Sequence, residues 1–360
     1  MVTVPVIIAG GIGERFWPLS RSSSPKQLLK LVSSKTMIEE TLIRCSPLCS
    51  SKVKPLIITG RSIAHRMKKI LPRQMEYDCI IEPEGKNTAP AILLAAAWIE
   101  NKYGPAVMGI FSADHDIRPG NAFLTAVRTA IRFALSNDAL VIFGVKPTRL
   151  ECGYGYLHVG DTVLSTRQAK VYRVEKFIEK PSRARAQHFL KNQSYLWNSG
   201  MFVWKTSVIL REFEMLLPDL VVHIKEPRQK GFSQNSINRF YYKCYKISID
   251  YGIMERSNRV YAVVGNFKWD DIGSWEAMRR IHGINTAGVT MVGKNIIECD
   301  CKNSILFNQA TTTIAAIGLD DVAVINTGDA LLVAHRSKLP DLKNYLTSIK
   351  KNELLPKGLF

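Results

Sequence analysis

Short apolar runs alternating with amphipathic stretches constrain this chain more than any other feature. Between Pro5 and about Val145, the runs Val4–Ile8, Leu56–Thr59, Cys79–Ile81, Val107–Phe111 and Leu140–Val145 read as strands. Helical patterns fill the gaps. Thr36-Met37-Ile38-Glu39 is a capping box, and Ile38, Leu42 and Cys45 continue it at helical spacing. Arg61–Leu71 and Ala122–Leu135 read similarly, and Asn87-Thr88-Ala89-Pro90 offers a polar cap and a first-turn proline ahead of Ala91–Ile99. Strand and helix in alternation predict a parallel sheet with helices on both faces. Ligands of such sheets sit beyond the carboxyl ends of the strands. The loops after Ile8, Ile81 and Phe111 are therefore expected to converge on one pocket.

From Gly153 to about Gly265 the pattern is mixed, with strands such as Val171–Phe177 and Met201–Lys205. After Trp275 the texture changes. Runs at Ile296–Ile297, Ser304–Phe307, Thr313–Ile317, Val322–Ile325 and Ala330–Val333 recur between turn residues, which reads as a small all-β unit. Leu342, Tyr345, Leu346 and Ile349 suggest a final helix. The expected domains are residues 1–282 and 283–360, two being the number that roughly 150 residues per domain suggests.

Hydrophobic residues at 46% and charged residues at 22% exclude wholesale disorder. The longest apolar stretch, Ala91–Ile99, is about half a membrane helix, and Met1 leads straight into a strand with no basic segment before it. No membrane association is expected. Seven cysteines without a CxxC pair suit a reducing cytoplasm. Cys299-Asp300-Cys301 is read as two thiols on one face of a strand, buried, and no zinc site is expected. A net charge of +18 raises nucleic acid as a partner. The cations are spread along the chain without a block of five, so none is expected; an excess of cations also suits a protein whose ligands are phosphates.

The segment Ala9-Gly10-Gly11-Ile12-Gly13-Glu14-Arg15-Phe16-Trp17-Pro18-Leu19-Ser20-Arg21, closed by Pro25-Lys26-Gln27, carries the first chemistry. Gly10, Gly11 and Gly13 let backbone N–H groups approach a polyphosphate, and Arg15 and Lys26 supply countercharge. Phe16 stands where a dinucleotide fingerprint has its third glycine, and no Gly-Lys-Ser/Thr of a Walker loop follows. Asp114 follows the run Val107–Phe111. A hard carboxylate there suits Mg²⁺, although a lone Asp at a strand end serves equally as a helix cap. Pro181 biases Lys180 to extended backbone, which would aim its amine; Glu179-Lys180 is otherwise an ordinary surface pair. His115 reads as orienting Asp114, and the remaining histidines lack ligand spacing.

These residues and seven later motifs resemble the sugar-1-phosphate nucleotidyltransferase family. The later motifs are Glu82–Ala91, Ser112–His115, Glu151–Tyr156, Phe177–Pro181, Asn198–Phe202, and Ser248–Tyr251 with Trp269–Trp275. The ending Arg-Phe-Trp-Pro-Leu-Ser-Arg is similar to the mannose-1-phosphate guanylyltransferase branch. The resemblance implies a Rossmann-like (glycosyltransferase-A-like) α/β fold, its mixed sheet mostly parallel, with a short left-handed β-helix behind it. It implies transfer of GMP from GTP to mannose 1-phosphate with Mg²⁺, by in-line attack without a covalent intermediate. Arg15, Lys26, Asp114 and Lys180 are the implied catalytic residues, and Asp114 and Asp271 the metal ligands. Asp270 leaves that register open, the family's spacing before Ile-Gly favouring Asp271. Glu84, Asn87 and Thr88 would lie near the guanine, with Asn87 and Thr88 equally able to serve as a helix cap. Gly153, Glu179, Lys180 and Asn198 would meet the sugar phosphate. Asp250 could hold hydroxyls or support a loop. The β-rich tail is a possible homodimer surface. Isomerisation of mannose 6-phosphate is not expected. The rival readings are a different base or sugar, and a non-catalytic sugar-nucleotide-binding regulator, which would need Arg15, Lys26, Asp114 or Lys180 degraded.

Overall fold

The computed structural model describes residues 1–11, 13–50, 52–351 and 358; Ile12 of the glycine segment and most of the last nine positions of the expected second domain lie outside the described residues. The chain forms two compact units. One comprises Met1–Gly10, Glu40–Ala113 and Ile117–Trp269, and the other Gly11–Glu39, Asp114–Asp116 and the chain from Asp270 onward. Three of the crossings, at Gly10–Gly11, Ala113–Asp114 and Trp269–Asp270, fall inside sequence motifs.

The strands run in chain order β1 (Val2–Ala9), β2 (Leu56–Gly60), β3 (Asp78–Glu82), β4 (Ala106–Ser112), the short β5 (Asp116–Arg118), β6 (Leu140–Val145), β7 (Tyr156–Ser165), β8 (Ala169–Ile178), β9 (Tyr195–Lys205), β10 (Val260–Gly265) and the short β11 (Lys268–Asp270). Nine of them form the first unit's sheet, in the order β3-β2-β1-β4-β9-β6-β10-β8-β7. β3, β2, β1 and β4 pair in parallel, as do β6 and β10, while β9 opposes β4 and β6, and β8 opposes β10. The sheet is mixed and mostly parallel, as the resemblance implies, where the alternating pattern alone predicts a parallel one. From β1 the chain winds outward through β2 and β3, then returns to β4 on β1's other side. The loops after β1 and β4 thus leave from the reversal point, where ligands of such sheets bind. Ala113 N donates to Ile8 O at 3.0 Å and ties the two strand ends together.

Among the described residues four α-helices lie between β1 and β6: α1 (Met37–Cys45), α2 (Arg61–Ile70), α3 (Thr88–Tyr103) and α4 (Gly120–Ser136). The capping box forms as read: Thr36 N donates to Glu39 Oε2 at 2.7 Å and Glu39 N to Thr36 Oγ1 at 3.3 Å. Helix α3 carries the long apolar stretch, with Ile92 to Ala96 fully buried. A helix apolar on every side belongs inside a core.

In the second unit, β12 (Thr290–Gly293), β13 (Ile296–Cys299), β14 (Ile305–Asn308), β15 (Ile314–Ile317) and β16 (Val322–Asn326) stack as successive coils. Thr290 pairs in parallel with Ile305, Ile305 with Ala323, and Ile296 with Ile314, a β-helix-like arrangement closed by the antiparallel β17 (Leu331–His335). β12 escaped the sequence pattern because only Thr290 of its four residues is buried. The expectation that Cys299 and Cys301 share a buried strand face is corrected: Cys299 is exposed and Cys301 buried. β13 ends at Cys299, and Asp300 at φ +53° turns the chain out of the strand, so period-two alternation fails there.

One core unites the glycine segment's Phe16, Trp17 and Leu19 with Ile272, Trp275, Phe307, Ile325 and the final helix's Leu342 and Leu346. Trp275 is its centre. Its ring lies 5.1 Å from Phe16 and 5.0 Å from Phe307, and its Nε1 donates to Trp17 O at 3.0 Å. Trp275→Ala is expected to cost about 3–5 kcal/mol in denaturant unfolding. Trp275→Phe should lose chiefly the hydrogen bond, about 1 kcal/mol. Equal losses in the two variants would contradict this account of the core.

Candidate active site

A cavity of about 540 Å³ opens in the second unit, lined by Gly11, Gly13, Arg15, Lys26, Asp114 and Asp271 among others. Loops leaving the ends of β1 and β4 therefore meet in one place, while the third loop of the expectation, after β3, gives this cavity no lining residue. The first half of the glycine segment needs its glycines. Gly11 and Gly13 have φ of +82° and +78°, the left-handed region that glycine enters without strain. A Cβ on Gly13 would sit 2.6 Å from Lys26 Cβ, so that glycine also makes room for the lysine stem. Arg21, at the far end of the segment, holds the loop's shape: it donates to Pro18 O at 2.6 Å, to Thr327 Oγ1 at 3.2 Å and to both oxygens of Asp329. Arg15 is exposed and lines the cavity.

Lys26 is 5% exposed and serves two partners. Its Nζ donates to Asp114 Oδ2 at 2.8 Å and to the backbone oxygen of Asp271 at 2.7 Å. An ammonium has three N–H donors, so one remains beyond these two. Burial pushes the Asp114 carboxyl upward, but the Lys26 ammonium and His115 outweigh it and hold the group below the usual carboxylate range. Asp114 is thus an anion at neutral pH.

The structure separates the two adjacent aspartates. Asp270 is buried and forked by Arg280, with Nη2 to Oδ1 at 2.9 Å, and it also accepts from Ile272 N at 2.9 Å. Asp271 lines the cavity, its Oδ1 accepting from Gly273 N at 3.0 Å. Between them and Gly273 sits Ile272, buried, β-branched and at φ +46°. Such a conformation is an outlier for isoleucine and marks strain held by its surroundings. A Cβ on Gly273 would meet Asp271 Oδ2 at 2.7 Å, so the glycine leaves that carboxylate its position.

Two carboxylate residues on a cavity wall, one of them held ionised, fit a hard divalent cation that takes one or two protein carboxylates and completes its shell with phosphate and water oxygens. Among the described residues no cluster of three or more His, Cys, Asp or Glu is placed to hold a metal ion.

In the first unit a second group assembles around Asn198. This residue lies within β9, where its backbone N donates to Gly155 O at 2.8 Å and its Oδ1 accepts from Gly200 N at 2.7 Å. Its Nδ2 donates to Asp250 Oδ1 at 2.9 Å. Of the two openings left for Asp250, loop support and hydroxyl binding, the contact found is to a neighbouring side chain. Burial, with the nearby Glu179 charge, pushes the Asp250 carboxyl up to about 6. Gly155 is the glycine that permits the group: a Cβ there would stand 2.4 Å from Glu179 Oε2 and 3.2 Å from Asn198. Gly153, singled out from the sequence, donates its N–H to Glu151 Oε1 at 3.1 Å, and a Cβ there would stand 3.3 Å from the same oxygen. Lys180 needs a correction. It sits at φ +44°, not in the extended backbone expected before Pro181, because its N–H turns to Tyr154 O at 3.2 Å. Its Nζ lies 3.3 Å from Glu179 Oε1.

The segment after β3 is tied down by backbone. Asn87, at φ +67°, caps α3 through its Oδ1 on Thr88 N at 2.9 Å, and Thr88 Oγ1 accepts from Ile249 N at 2.8 Å. Glu84 pairs with Lys86 at 3.0 Å. Asn87 and Thr88 thus fill the capping and tethering roles that their sequence context allows. Three residues escaped sequence reasoning: Gly155, Arg149, which donates to Tyr154 Oη at 2.8 Å, and Lys343, which lines the cavity from the final helix. Gly155 stood inside a quoted motif; the other two carry no local signal.

Residues 4–287 match the family model described as Nucleotidyl transferase, and residues 294–347 that of a MannoseP isomerase/GMP-like beta-helix domain. The chain is 32% identical to mannose-1-phosphate guanylyltransferase of Escherichia coli over 95% of its own length and 74% of that protein's. It is 34% identical to the xanthan biosynthesis protein XanB of Xanthomonas campestris pv. campestris, over 96% and 73%. A crystal structure described as mannose-1-phosphate geranyltransferase from Thermus thermophilus superposes with a TM-score of 0.86 at 30% identity, covering 97% of this chain and all of that one.

Asp250 gives a pH prediction. Its folded-state value lies above the ordinary 3.8, so the fold binds the extra proton and loses stability as pH rises from about 4 to about 6, then levels. Asp250→Asn should flatten that decline and unfold at pH 8 with about 2 kcal/mol more resistance than the parent chain. Denaturant titrations across pH 4–8 check it, and a steeper decline in the variant would contradict the assignment.

Proposed function

This chain belongs to the nucleotidyl transferase family, and from that premise we propose that it transfers GMP from GTP to α-D-mannose 1-phosphate, releasing pyrophosphate and GDP-mannose. The observation that carries the proposal is the Lys26–Asp114 pair, a buried cation and an ionised acid on the wall of a cavity with glycine backbone and Arg15. The relatives named for GDP-mannose synthesis support the choice of base and sugar.

A sugar phosphate oxygen is already anionic at neutral pH, so attack on the α-phosphorus needs no general base and no covalent enzyme intermediate. What the protein must supply is position and countercharge. The amides of Gly11 and Gly13 orient the triphosphate. Arg15 neutralises the departing pyrophosphate, and Lys26 turns its third N–H to a phosphate oxygen while holding Asp114 ionised. Asp114 and Asp271 would hold a divalent cation, Mg²⁺ in our reading. When bound, the ion supplies neutralising charge to the phosphates. In the first unit, Asn198, braced by Asp250, and Glu179 offer amide and carboxylate groups to sugar hydroxyls, with Gly153 backbone beside them. Lys180 grips the sugar phosphate. Glu84, Asn87 and Thr88 serve the guanine side. The regulator reading requires lost phosphate residues, and Arg15, Lys26, Asp114 and Lys180 are all present.

We also propose residues 1–282 as the catalytic part and 283–360 as the appended β-helix part. The two family matches, one ending at residue 287 and the other starting at 294, support a junction in this region. Exposed Ile297 and Ile317 on the β-helix coils, 54% and 69% accessible, support a homodimer through that part. Among the described residues no helix is long and apolar enough to cross a membrane. Nucleotide substrates and free thiols support a cytoplasmic setting.

Two substitutions and one substrate panel test the proposal. Asp114→Asn should lower turnover at least about 100-fold at saturating Mg²⁺; a near-normal rate would remove Asp114 from the chemistry. Lys180→Ala should raise the KM for mannose 1-phosphate while leaving GTP binding intact, and unchanged kinetics would exclude it from the sugar site. Pyrophosphate release with GTP, ATP, UTP and dTTP against mannose, glucose and glucosamine 1-phosphates should peak at GTP with mannose 1-phosphate. A maximum elsewhere in that grid reassigns the base or the sugar.

A further inference from the structure

The cavity contains one acid that its proposed ligand does not want. Glu14 follows Gly13 directly and lines the same wall as Gly11, Arg15 and Lys26. A carboxylate beside a triphosphate repels it unless something neutralises the acid. The structure supplies that from the far end of the chain. Lys343, in the first turn of the final helix (Leu342–Lys351), places its Nζ 2.9 Å from Glu14 Oε2, and Lys350, two turns on, approaches Glu14 Oε1 at 4.0 Å. The two lysines differ in one respect: Lys343 lines the cavity and Lys350 does not.

The helix has reason to hold this position. Leu342 and Leu346 are buried in the core that also contains Phe16, Trp17 and Leu19. Lys343 is thus fixed at its backbone by Leu342 beside it, while its side chain remains 61% exposed and free to swing. A primary ammonium is a compact point charge with three donors, able to keep one carboxylate contact while taking a phosphate oxygen.

We propose that Lys343 is a phosphate-binding residue of the nucleotide site, supplied by the C-terminal helix and parked on Glu14 until a triphosphate enters. Glu14 is then its positioning partner: it keeps the ammonium at the cavity wall when the cavity is empty and yields it to the outer phosphates of the nucleotide. The inference rests on the reading that a nucleoside triphosphate fills this cavity. It extends that reading, because the β-helix part and its helix become part of the nucleotide site.

The experiment uses the full chain with Lys343→Ala, Lys343→Arg, Lys350→Ala and the parent. Steady-state kinetics are measured for each substrate, alongside calorimetric binding of GTP and of inorganic tripolyphosphate. Losing one charge-assisted hydrogen bond to phosphate should raise the KM for GTP and weaken tripolyphosphate about ten-fold or more in Lys343→Ala. The KM for mannose 1-phosphate should stay unchanged, Lys343→Arg should recover most of the loss, and Lys350→Ala should match the parent. Parent-like GTP and tripolyphosphate binding in Lys343→Ala overturns the proposal. So do equal losses in Lys343→Ala and Lys350→Ala with a lowered melting temperature, which would make the helix merely a structural prop. If the parent forms no nucleotide sugar yet binds tripolyphosphate in a Lys343-dependent way, the enzymatic reading fails and the phosphate assignment stands.

Discussion

The second unit's site depends on one ammonium group placed between two acid residues. Lys26 binds Asp114 through its side chain and Asp271 through its backbone, and both bonds are short and shielded. Without that cation, burial would drive Asp114 toward its neutral form, and a neutral carboxyl is a poor ligand for a divalent ion. Much of the local sequence serves the placement. Gly13 has no Cβ because Lys26 needs the volume, and Gly273 has none because the Asp271 carboxylate does. Ile272 accepts a left-handed backbone between them. Strain at Ile272 is sustained by the Trp275 core immediately following it, so the packing of Trp275 and the geometry of Asp271 are one problem.

How much of this was legible follows from where each signal resides. Parallel strands covered on both faces read as unbroken apolar runs, and the runs at Val4, Leu56, Val107 and Leu140 are all strands in the sheet. A capping box is local by construction, and the one at Thr36 forms as written. Period-two reasoning failed at Cys299-Asp300-Cys301 because it presumes a continuous strand, and a single left-handed residue ends it. The Lys180 backbone failed for a similar reason. Proline disfavours one region for the residue before it, but a hydrogen bond to Tyr154, 26 positions earlier by residue number, selects the left-handed alternative.

Side-chain partnerships between distant segments were beyond the sequence altogether. Asp270 and Asp271 differ by what reaches them: Arg280, one helix away, takes Asp270 into a fork, and the cavity keeps Asp271. Lys343 shows only as a polar position on an amphipathic helix, where a solvent-facing lysine is the default reading. Likewise Arg21, in the same motif as Arg15, is 9% exposed and anchors Pro18 to Thr327 and Asp329. Basic residues in a phosphate-site motif therefore divide into those that face the ligand and those that hold the loop, and only the fold separates them.

The two units handle their carboxylates in opposite ways, and the contrast follows the charges beside each. In the second unit a lysine holds Asp114 below its usual range, giving a fixed anion for a cation and, around it, ammonium and amide groups for phosphate. In the first unit Asp250 has no such partner, and burial with the Glu179 charge raises it to about 6. Sugar hydroxyls are neutral, and they are read by hydrogen bonds whose directions matter more than net charge. Bonded to the Asn198 amide, the Asp250 carboxyl fixes the direction in which that amide offers its own groups. The raised carboxyl of one unit and the lowered carboxyl of the other thus differ by their neighbours, an ammonium beside Asp114 and a second acid near Asp250.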